Sequence, residues 1–239
     1  MLAIRSLFFY IGYLLLVLLF GLLSLPLFLV PKNIGGRVIA YWNLCTLAWL
    51  RVCCGVRVEL QGDVTKVPTT SVIVSNHQSP WETFYFQHLF FPVSTVLKKE
   101  LLRLPLFGWG LRLLEPMAID RSNPIQALKQ IRAASLFYLQ RGKKILLFPE
   151  GTRISGGELG SYKRGAADIA QKAQVPLVPI AHNGGKCWPG KKFIKYPGTI
   201  QVVIGEAIDL TGKDTKAEMQ AVENWTRQQL VKMNQSGTR

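Results

Sequence analysis

The sequence has few cysteines, few histidines and few acidic side chains. Its 239 residues include four cysteines and three histidines, and its 14 acidic residues are outnumbered by 29 lysines and arginines. The cysteines are Cys45, Cys53, Cys54 and Cys187, and their spacing is not that of a metal site. The adjacent pair Cys53 and Cys54 suits a reduced, apolar environment better than a disulfide framework. We therefore expect no metal, no cofactor and no disulfide-stabilised fold.

The formal net charge of +15 points to one of two partners, nucleic acid or an anionic membrane. The sequence contains no helix-turn-helix, zinc-finger or aromatic RNA-binding signature, so charge alone would support nucleic-acid binding. Beside an apolar anchor, basic residues attract anionic lipids by about 1 kcal/mol each. We expect anionic membrane lipids as partners and no nucleic acid.

One long apolar run supplies such an anchor. Residues 7–30 carry no charge. In a helix they would extend about 36 Å, which exceeds a bilayer core of about 30 Å. The run is longer than the apolar region of a signal peptide, roughly 7–15 residues, and no small-residue cleavage site follows it. We expect a membrane-associated helix that breaks or turns near Pro26 and Pro31.

A second apolar segment, residues 38–50, lies between Arg37 and Arg51. It is too short to span a bilayer as a helix. Two interpretations stay open: an interfacial or re-entrant helix with Trp42 and Trp49 at the headgroups, or a helix of the soluble core. Likewise, the two segments could form a hairpin in one leaflet or cross the bilayer. The positive-inside rule predicts that the charged remainder is cytoplasmic.

The remainder of the chain alternates short β-branched runs with helical stretches. The pattern predicts strands at 70–76, 93–97, 144–152, 175–183 and 199–208, and helices from residue 81, over 122–142 and over 215–233. Strands separated by helices imply an α/β fold, with a mostly parallel or mixed sheet flanked by helices. An N-terminal membrane-associated helical segment precedes it. We expect anchoring helices in residues 1–60 and an α/β domain in residues 61–239.

The helix over 122–142 has the clearest sequence signals. Ser122 or Asn123 is its cap, Pro124 occupies its first turn and Gly142 follows its end. We expect one apolar stripe on this helix, and its members are Ile125, Leu128, Ile131 and Leu139.

Polar clusters follow several of the predicted strands, where open sheets of this kind bind ligands. In the first cluster, His77 precedes Glu82 by five positions. An imidazole that takes a proton needs an acceptor on its other nitrogen, and Glu82 is a candidate. The alternative is a capping box, in which Glu82 caps its own helix together with Ser79 and Pro80.

Two further clusters contain basic side chains. In FPEGTRIS, residues 148–155, Gly151 permits close backbone approach to a ligand, and Arg153 matches a phosphate bidentately. Glu150 can hold that arginine or accept from a substrate hydroxyl. Lys98 and Lys99 end another strand. Taken alone, each cluster also fits a solvated charge pair.

Four blocks in order make the chain resemble the glycerolipid acyltransferase family, in particular its bacterial 1-acyl-sn-glycerol-3-phosphate acyltransferases. Between residues 70 and 205 the blocks are NHQSPWE, KKELLRLPLFGWGLRLLEPMAIDR, FPEGTR and VPLVPIA. The first is similar to the family's histidine-x4-aspartate block, although Glu82 stands where the family usually has aspartate.

The resemblance implies transfer of a fatty acyl group from acyl-CoA or acyl carrier protein to the sn-2 hydroxyl of lysophosphatidic acid, giving phosphatidic acid. It makes His77 the general base and Glu82 the carboxylate that orients it. The substrate-binding residues that it implies are Lys99, Glu150, Gly151, Arg153, Arg121 and Lys98. It also implies a bacterial inner (cytoplasmic) membrane location, with the catalytic domain on the cytoplasmic side.

Two alternatives stay open. The same chemistry could act on a lyso-ornithine lipid, another lysophospholipid or glycerol-3-phosphate. A non-catalytic, membrane-tethered protein that binds lipid or nucleic acid is the other. Outside the blocks, His182 fits a structural role in a turn better than a donor contact, and Lys163 with Arg164 fits a solvated pair.

Overall fold

A computed structural model describes residues 1–120, 122–154 and 158–236. The strands are β1 (Val56–Gln61), β2 (Val72–Ser75), β3 (Val93–Lys98), β4 (Met117–Ile119), β5 (Lys144–Leu147), β6 (Leu177–His182) and β7 (Gly198–Ile204). The helices are α1 (Leu2–Leu27), α2 (Lys32–Cys54), α3 (Trp81–Leu89), α4 (Phe107–Leu113), α5 (Pro124–Leu139), α6 (Gly165–Ala173) and α7 (Thr215–Ser236). The α/β prediction is confirmed.

The seven strands form one mixed sheet in the order β1-β7-β6-β2-β5-β3-β4. Neighbouring strands run parallel except β6 and β7, which are antiparallel. Strand β2 lies between β5 and β6, and its Val72 pairs with Ile145 on one side and Leu177 on the other. The carboxyl ends of these three central strands therefore meet at one edge of the sheet.

Both faces of the sheet are covered, and β2 shows how. All four of its residues are buried, and alternate side chains point to opposite faces. Ile73 packs into a core with Trp81 of α3. Val72 and Val74 pack into a second core, which α5, α6 and α7 cover. A strand buried on both faces has a continuous apolar sequence, as β2 does.

The two N-terminal helices form an antiparallel hairpin that packs on the body of the protein. Helix α1 places Phe9 in the core beside α3, and the Phe9 side chain is fully buried. Helix α2 has 23 residues and begins after Pro31. It is longer than the predicted segment because its first turns, Lys32–Arg37, are polar and glycine-containing yet pack against α1 and α4. Trp42 lies in the protein interior, packed between α1, α3 and α4.

The expected boundary between residues 60 and 61 falls within β1, which pairs with β7 at the edge of the sheet. Sequence patterning predicted neither β1 nor the three-residue β4. Strand β1 does alternate apolar and polar residues, which is a signal of a half-buried strand, whereas β4 is too short for a periodic signal. The predicted strand over 144–152 ends at Leu147, where the polar turn begins.

The predicted apolar stripe of α5 is only partly buried. Of the two candidate caps, Asn123 is the one present, since its side chain accepts a hydrogen bond from the Gln126 amide. Leu139 is buried, whereas Ile125 and Leu128 are largely exposed. The helix packs on the sheet through its later turns and through small residues such as Ala127, so its first apolar side chains have no neighbouring strand to cover them.

Candidate active site

The first polar cluster is a tight turn between β2 and α3. Strand β2 ends at Ser75, and α3 begins at Trp81 immediately after Pro80. The Ser79 hydroxyl accepts a hydrogen bond from the Trp81 amide at 3.0 Å. The predicted start of the helix is therefore present, and it folds the chain back so that Glu82 faces the turn that precedes it.

Glu82 both caps the turn and holds the histidine. Its Oε1 accepts from the amides of Gln78 at 3.0 Å and Ser79 at 2.8 Å, and it lies 2.7 Å from Nδ1 of His77. The same oxygen therefore both caps α3 and contacts the imidazole. Glu82 is fully buried, and the His77 side chain is 14% exposed. The imidazole also stacks on Phe148, with 4.0 Å between ring centroids. His77 is thereby held with Nε2 as the nitrogen able to take a proton.

The environment of Glu82 keeps it ionised. Burial raises the pKa of this carboxyl, but the hydrogen bonds from His77 and from the amide of Ser79 together outweigh burial and lower it below its usual value. At neutral pH the carboxylate is therefore an anion beside His77. Such an anion stabilises the imidazolium that forms when His77 accepts a proton.

Glu150 reaches the same turn from the end of β5. The carboxylate is buried, and its Oε2 accepts from the His77 amide at 2.7 Å while Oε1 accepts from the Gly160 amide at 3.0 Å. Burial, with the nearby carboxylates of Glu82 and Glu223, raises the pKa of Glu150. Both of its oxygens thus bind backbone amides, and one of these amides belongs to the histidine.

The residues after Glu150 pass across the histidine. Gly151 has a φ of 76°, a left-handed conformation that glycine adopts without strain. The Ile154 amide donates to the His77 carbonyl at 2.8 Å. Lys163 approaches this turn, because a Cβ on Gly151 would lie 3.7 Å from its Nζ. Arg153 runs beside Gly190, where a Cβ would lie 3.4 Å from the arginine Cδ.

The lysines of the second block lie farther along the sheet. Strand β3, which they end, is separated from β2 by β5. Lys99 forms an ion pair with Asp120, and Lys98 lies 3.8 Å from Glu100. Hydrogen bonds from Lys99 and Ser122 hold the pKa of Asp120 well below its usual range. Arg121 lies outside the described residues.

A metal centre would need a cluster of ligating side chains. Over residues 1–120, 122–154 and 158–236, no group of three or more histidine, cysteine, aspartate or glutamate side chains is placed to hold an ion. The site that the structure does assemble consists of an imidazole, two buried carboxylates and nearby cations.

Comparison with known proteins assigns the chain to a family. The sequence model described as Acyltransferase matches residues 57–183, more than half of the chain. The chain belongs to the acyltransferase family. The match includes the turn with His77 and Glu82 and the loop with Glu150, so the site described above lies inside the family region of this acyltransferase.

Individual relatives agree with the family assignment. The acyltransferase is 42% identical over 238 residues to a 1-acyl-sn-glycerol-3-phosphate acyltransferase of Pseudomonas aeruginosa, covering 97% of this chain and 92% of that protein. A protein of the same description from Limnanthes alba is 33% identical over 153 residues, covering 63% of this chain and 50% of its own.

The crystal structure of PlsC, the 1-acyl-sn-glycerophosphate acyltransferase of Thermotoga maritima, superposes with a TM-score of 0.81. The superposition covers 97% of this chain and 95% of the Thermotoga chain, at 22% sequence identity. At that identity the likeness is one of fold.

The structure of this acyltransferase also places residues that sequence patterns did not assign to the site. Phe148 supports the histidine ring, and Asn76 and His182 bond to each other beneath the turn. His182 was expected in a strand-end turn, and it is instead the last residue of β6, fully buried. The signal for His182 is that it ends the strand next to the one that leads to His77. That signal can be used only when the pairing of β2 with β6 is already known.

Proposed function

We propose that this acyltransferase moves a fatty acyl group from a thioester, acyl-CoA or acyl carrier protein, to the sn-2 hydroxyl of lysophosphatidic acid, giving phosphatidic acid. The observation that carries the proposal is the 2.7 Å contact between Nδ1 of His77 and the fully buried Glu82 carboxylate. The name of the 42% identical Pseudomonas relative supports the choice of acceptor.

In the proposed reaction, Nε2 of His77 takes the proton of the acceptor hydroxyl. The oxygen attacks the thioester carbonyl, the carbon–sulfur bond breaks, and the departing thiolate receives the proton from the imidazolium. Glu82 stabilises that imidazolium between the two proton transfers. General-base assistance of this kind contributes about 10² to 10⁴ in rate, and no serine or cysteine acyl-enzyme is required.

The acceptor site that we propose extends from this histidine toward the end of β3. Arg153 and Lys99 hold the phosphate, Lys98 and Arg121 add positive charge, and Gly151 lets the backbone approach the ligand. Glu150 shapes the site through its bond to the His77 amide. Lys99 is paired with Asp120, so we expect phosphate to compete with that carboxylate for the lysine.

We propose that the helical hairpin lies in one leaflet of the membrane. Among the described residues one helix, α1, is long and apolar enough to cross a bilayer, a property that signal sequences and buried helices share. Its 26 residues would extend about 39 Å. The outward side chains of α1 are apolar, among them Leu14, Leu18 and Leu22, and α2 adds exposed apolar residues such as Tyr41 and Leu44 between its basic ends. This face has the composition of a lipid-contacting surface.

The contacts of α1 with the body argue against a crossing. Near its start, the Ser6 hydroxyl accepts from the Lys195 amide at 2.9 Å. In its second half, Gly21 packs directly on Leu106. Beyond its end, Lys32 lies 3.6 Å from Glu115. A helix that crossed the bilayer would leave the body at one end, whereas α1 touches it throughout. We propose the cytoplasmic face of a bacterial inner membrane as the location, in keeping with the basic charge.

The function is tested by thiol release from acyl-CoA and from acyl carrier protein, with lysophosphatidic acid present and absent. We expect acceptor-dependent thiol release and phosphatidic acid as product. A panel with glycerol-3-phosphate, a lyso-ornithine lipid and other lysophospholipids identifies the acceptor.

The dyad is tested by His77→Ala, which we expect to abolish transfer. His88→Ala is the matched control, because His88 lies in α3 outside the dyad, and we expect it to retain activity. A folded His77→Ala protein that turns over at the wild-type rate would rule out the mechanism.

A further inference from the structure

The peptide bond between Asn76 and His77 is held at both of its polar atoms by buried side chains. Its N–H donates to Glu150 Oε2 at 2.7 Å. Its carbonyl oxygen, that of Asn76, lies 2.8 Å from Nε2 of His182. The two side chains come from the turn after β5 and from the end of β6, the strands on either side of β2. Side chains from both neighbouring strands thus form hydrogen bonds with the backbone that carries His77.

The hydrogen bonds of His182 determine which of its nitrogens carries the proton. The Gly184 amide donates to Nδ1 at 3.1 Å, so Nδ1 is an acceptor. The proton is therefore on Nε2, which donates to the Asn76 carbonyl. His182 is fully buried, and burial lowers its pKa, so the ring is neutral. With both nitrogens engaged, His182 has no nitrogen left to contact substrate.

Asn76 completes the contact. Its side-chain amide donates to the His182 carbonyl at 2.8 Å, and its Oδ1 accepts from the His182 amide at 3.0 Å. Residues 76 and 182 are therefore joined by three hydrogen bonds, all of them buried. Buried polar groups with complete partners favour one geometry, because any other leaves a group unsatisfied.

We propose that His182 is a positioning residue that, together with Glu150, clamps the peptide bond 76–77 and so sets the place of the His77 imidazole. The inference rests on the proposed function, in which His77 is the base. Rotation of this peptide would move the imidazole relative to Glu82 and to the acceptor hydroxyl. A misplacement of about 1 Å at a reacting group costs about 10²-fold in rate.

Two substitutions separate the two bonds of the His182 ring. Glutamine carries its amide nitrogen three bonds beyond Cβ, as the imidazole carries Nε2, so His182→Gln keeps a donor for Asn76. Asparagine carries its oxygen two bonds beyond Cβ, as the imidazole carries Nδ1, so His182→Asn keeps an acceptor for Gly184 and loses the clamp. Both replace an aromatic ring by an amide, which makes them a matched pair.

The experiment measures kcat and KM for thiol release in the full chain, with thermal unfolding to confirm the fold. We expect His182→Asn to lower kcat by about 10²-fold, with little change in KM for either substrate, because the clamp acts on the position of the base. We expect His182→Gln to stay near the wild-type kcat. If the substitutions affected only fold stability, both variants would lose activity to the same extent, and the loss would not be confined to kcat.

The outcomes separate this inference from the proposed function. An active His77→Ala would overturn the function itself. If His77→Ala is inactive while His182→Asn keeps its kcat, or while His182→Gln loses as much as His182→Asn, the clamp is wrong and the function stands.

A measurement on the unaltered protein covers the case in which His182→Asn does not fold. The chain has three histidines, so ¹⁵N-labelled imidazoles can be assigned with His77 and His88 variants. We expect His182 as a neutral ring protonated at Nε2 at pH 7.5. A ring protonated at Nδ1, or at both nitrogens, would contradict the clamp.

Discussion

At the scale of single residues, Glu82 is the departure from the usual aspartate of the family, and the structure explains why the longer side chain works. From the first turn of α3, its Oε1 reaches back to three donors in the preceding loop at 2.7 to 3.0 Å. The turn is built around that length. A shorter carboxylate at this position has to draw the start of α3 toward the loop.

Substitutions of Glu82 should therefore rank glutamate above aspartate above glutamine in kcat. Glu82→Asp keeps the charge but is shorter by a carbon–carbon bond, about 1.5 Å, so we expect a modest loss. Glu82→Gln keeps the length but removes the charge that, in the proposed mechanism, stabilises the His77 imidazolium. We therefore expect kcat to fall by about 10² to 10⁴, roughly the full value of general-base catalysis. Steady-state kinetics of the two variants measures the order. Glutamine at or above aspartate would show that length, not charge, matters here.

His182 should also make stability depend on pH. Its pKa is lower in the folded protein than its ordinary value of about 6.5, because burial disfavours the charged ring. As pH falls below about 6.5 the unfolded chain takes up a proton that the folded protein resists, so stability decreases. His88, whose pKa burial also lowers, acts in the same direction.

We expect the Tm to fall between pH 7.5 and 5.5, and to fall less in His182→Gln, which lacks the titrating ring. Thermal unfolding of both proteins in detergent across this range measures the difference. Parallel curves for the two proteins would contradict the role given to His182.

At the scale of elements, the hairpin is attached through glycines that permit close helix packing. A Cβ on Gly21 would lie 2.5 Å from the Cβ of Leu106 and 2.8 Å from its Cα. Leu106 has a φ of 63°, which few non-glycine residues adopt. The backbone at Leu106 is therefore poorly able to move away.

Gly21→Val should loosen α1 from α4, with a cost of about 1–3 kcal/mol as for other overpacked contacts. Leu22→Val is the control, because Leu22 is exposed at a position about 100° around the same helix from Gly21 and its substitution also introduces a β-branched residue. Thermal unfolding in detergent should show a lower Tm for the first variant and little change for the second. Equal effects would mean that helix propensity, not packing, sets the result.

The same scale explains why the apolar stripe of α5 is only partly buried. Periodicity identifies which residues share a helix face, but whether that face is covered depends on the length of the neighbouring strands. Strand β4 has three residues, and the helix extends past it. Leu139 is buried, and Leu128 on the same face is exposed.

At the scale of the whole molecule, the hairpin lies along the body and presents its apolar face outward. An arrangement in one leaflet places the turn between the helices on the same side of the membrane as the catalytic body. A crossing helix would place it on the opposite side. Leu29 in this turn is 89% exposed, so the two arrangements can be told apart by labelling.

We expect Leu29→Cys to react with a membrane-impermeant maleimide added outside proteoliposomes whose catalytic bodies face outward. Val231→Cys, at an exposed position of α7, marks the side of the body. The wild-type chain supplies the background from its four cysteines. Reaction of Leu29→Cys only after detergent is added would contradict this arrangement, because the turn would then lie inside the vesicles or within the lipid.

The sequence by itself determined the features that depend on neighbours along the chain. Alternating strands and helices predict the α/β fold, the uncharged run predicts the apolar helix, and Ser79, Pro80 and Glu82 predict the helix start. His77 and Glu82 are five residues apart, so a single turn of the chain brings their side chains together.

Only the tertiary structure decided what holds the histidine in place. Glu150 contacts His77 across 73 positions of sequence, and His182 contacts Asn76 across 106. Those contacts exist because β2 lies between β5 and β6. Strand order is set by how all the apolar faces pack together, a property of the whole chain that no local pattern contains.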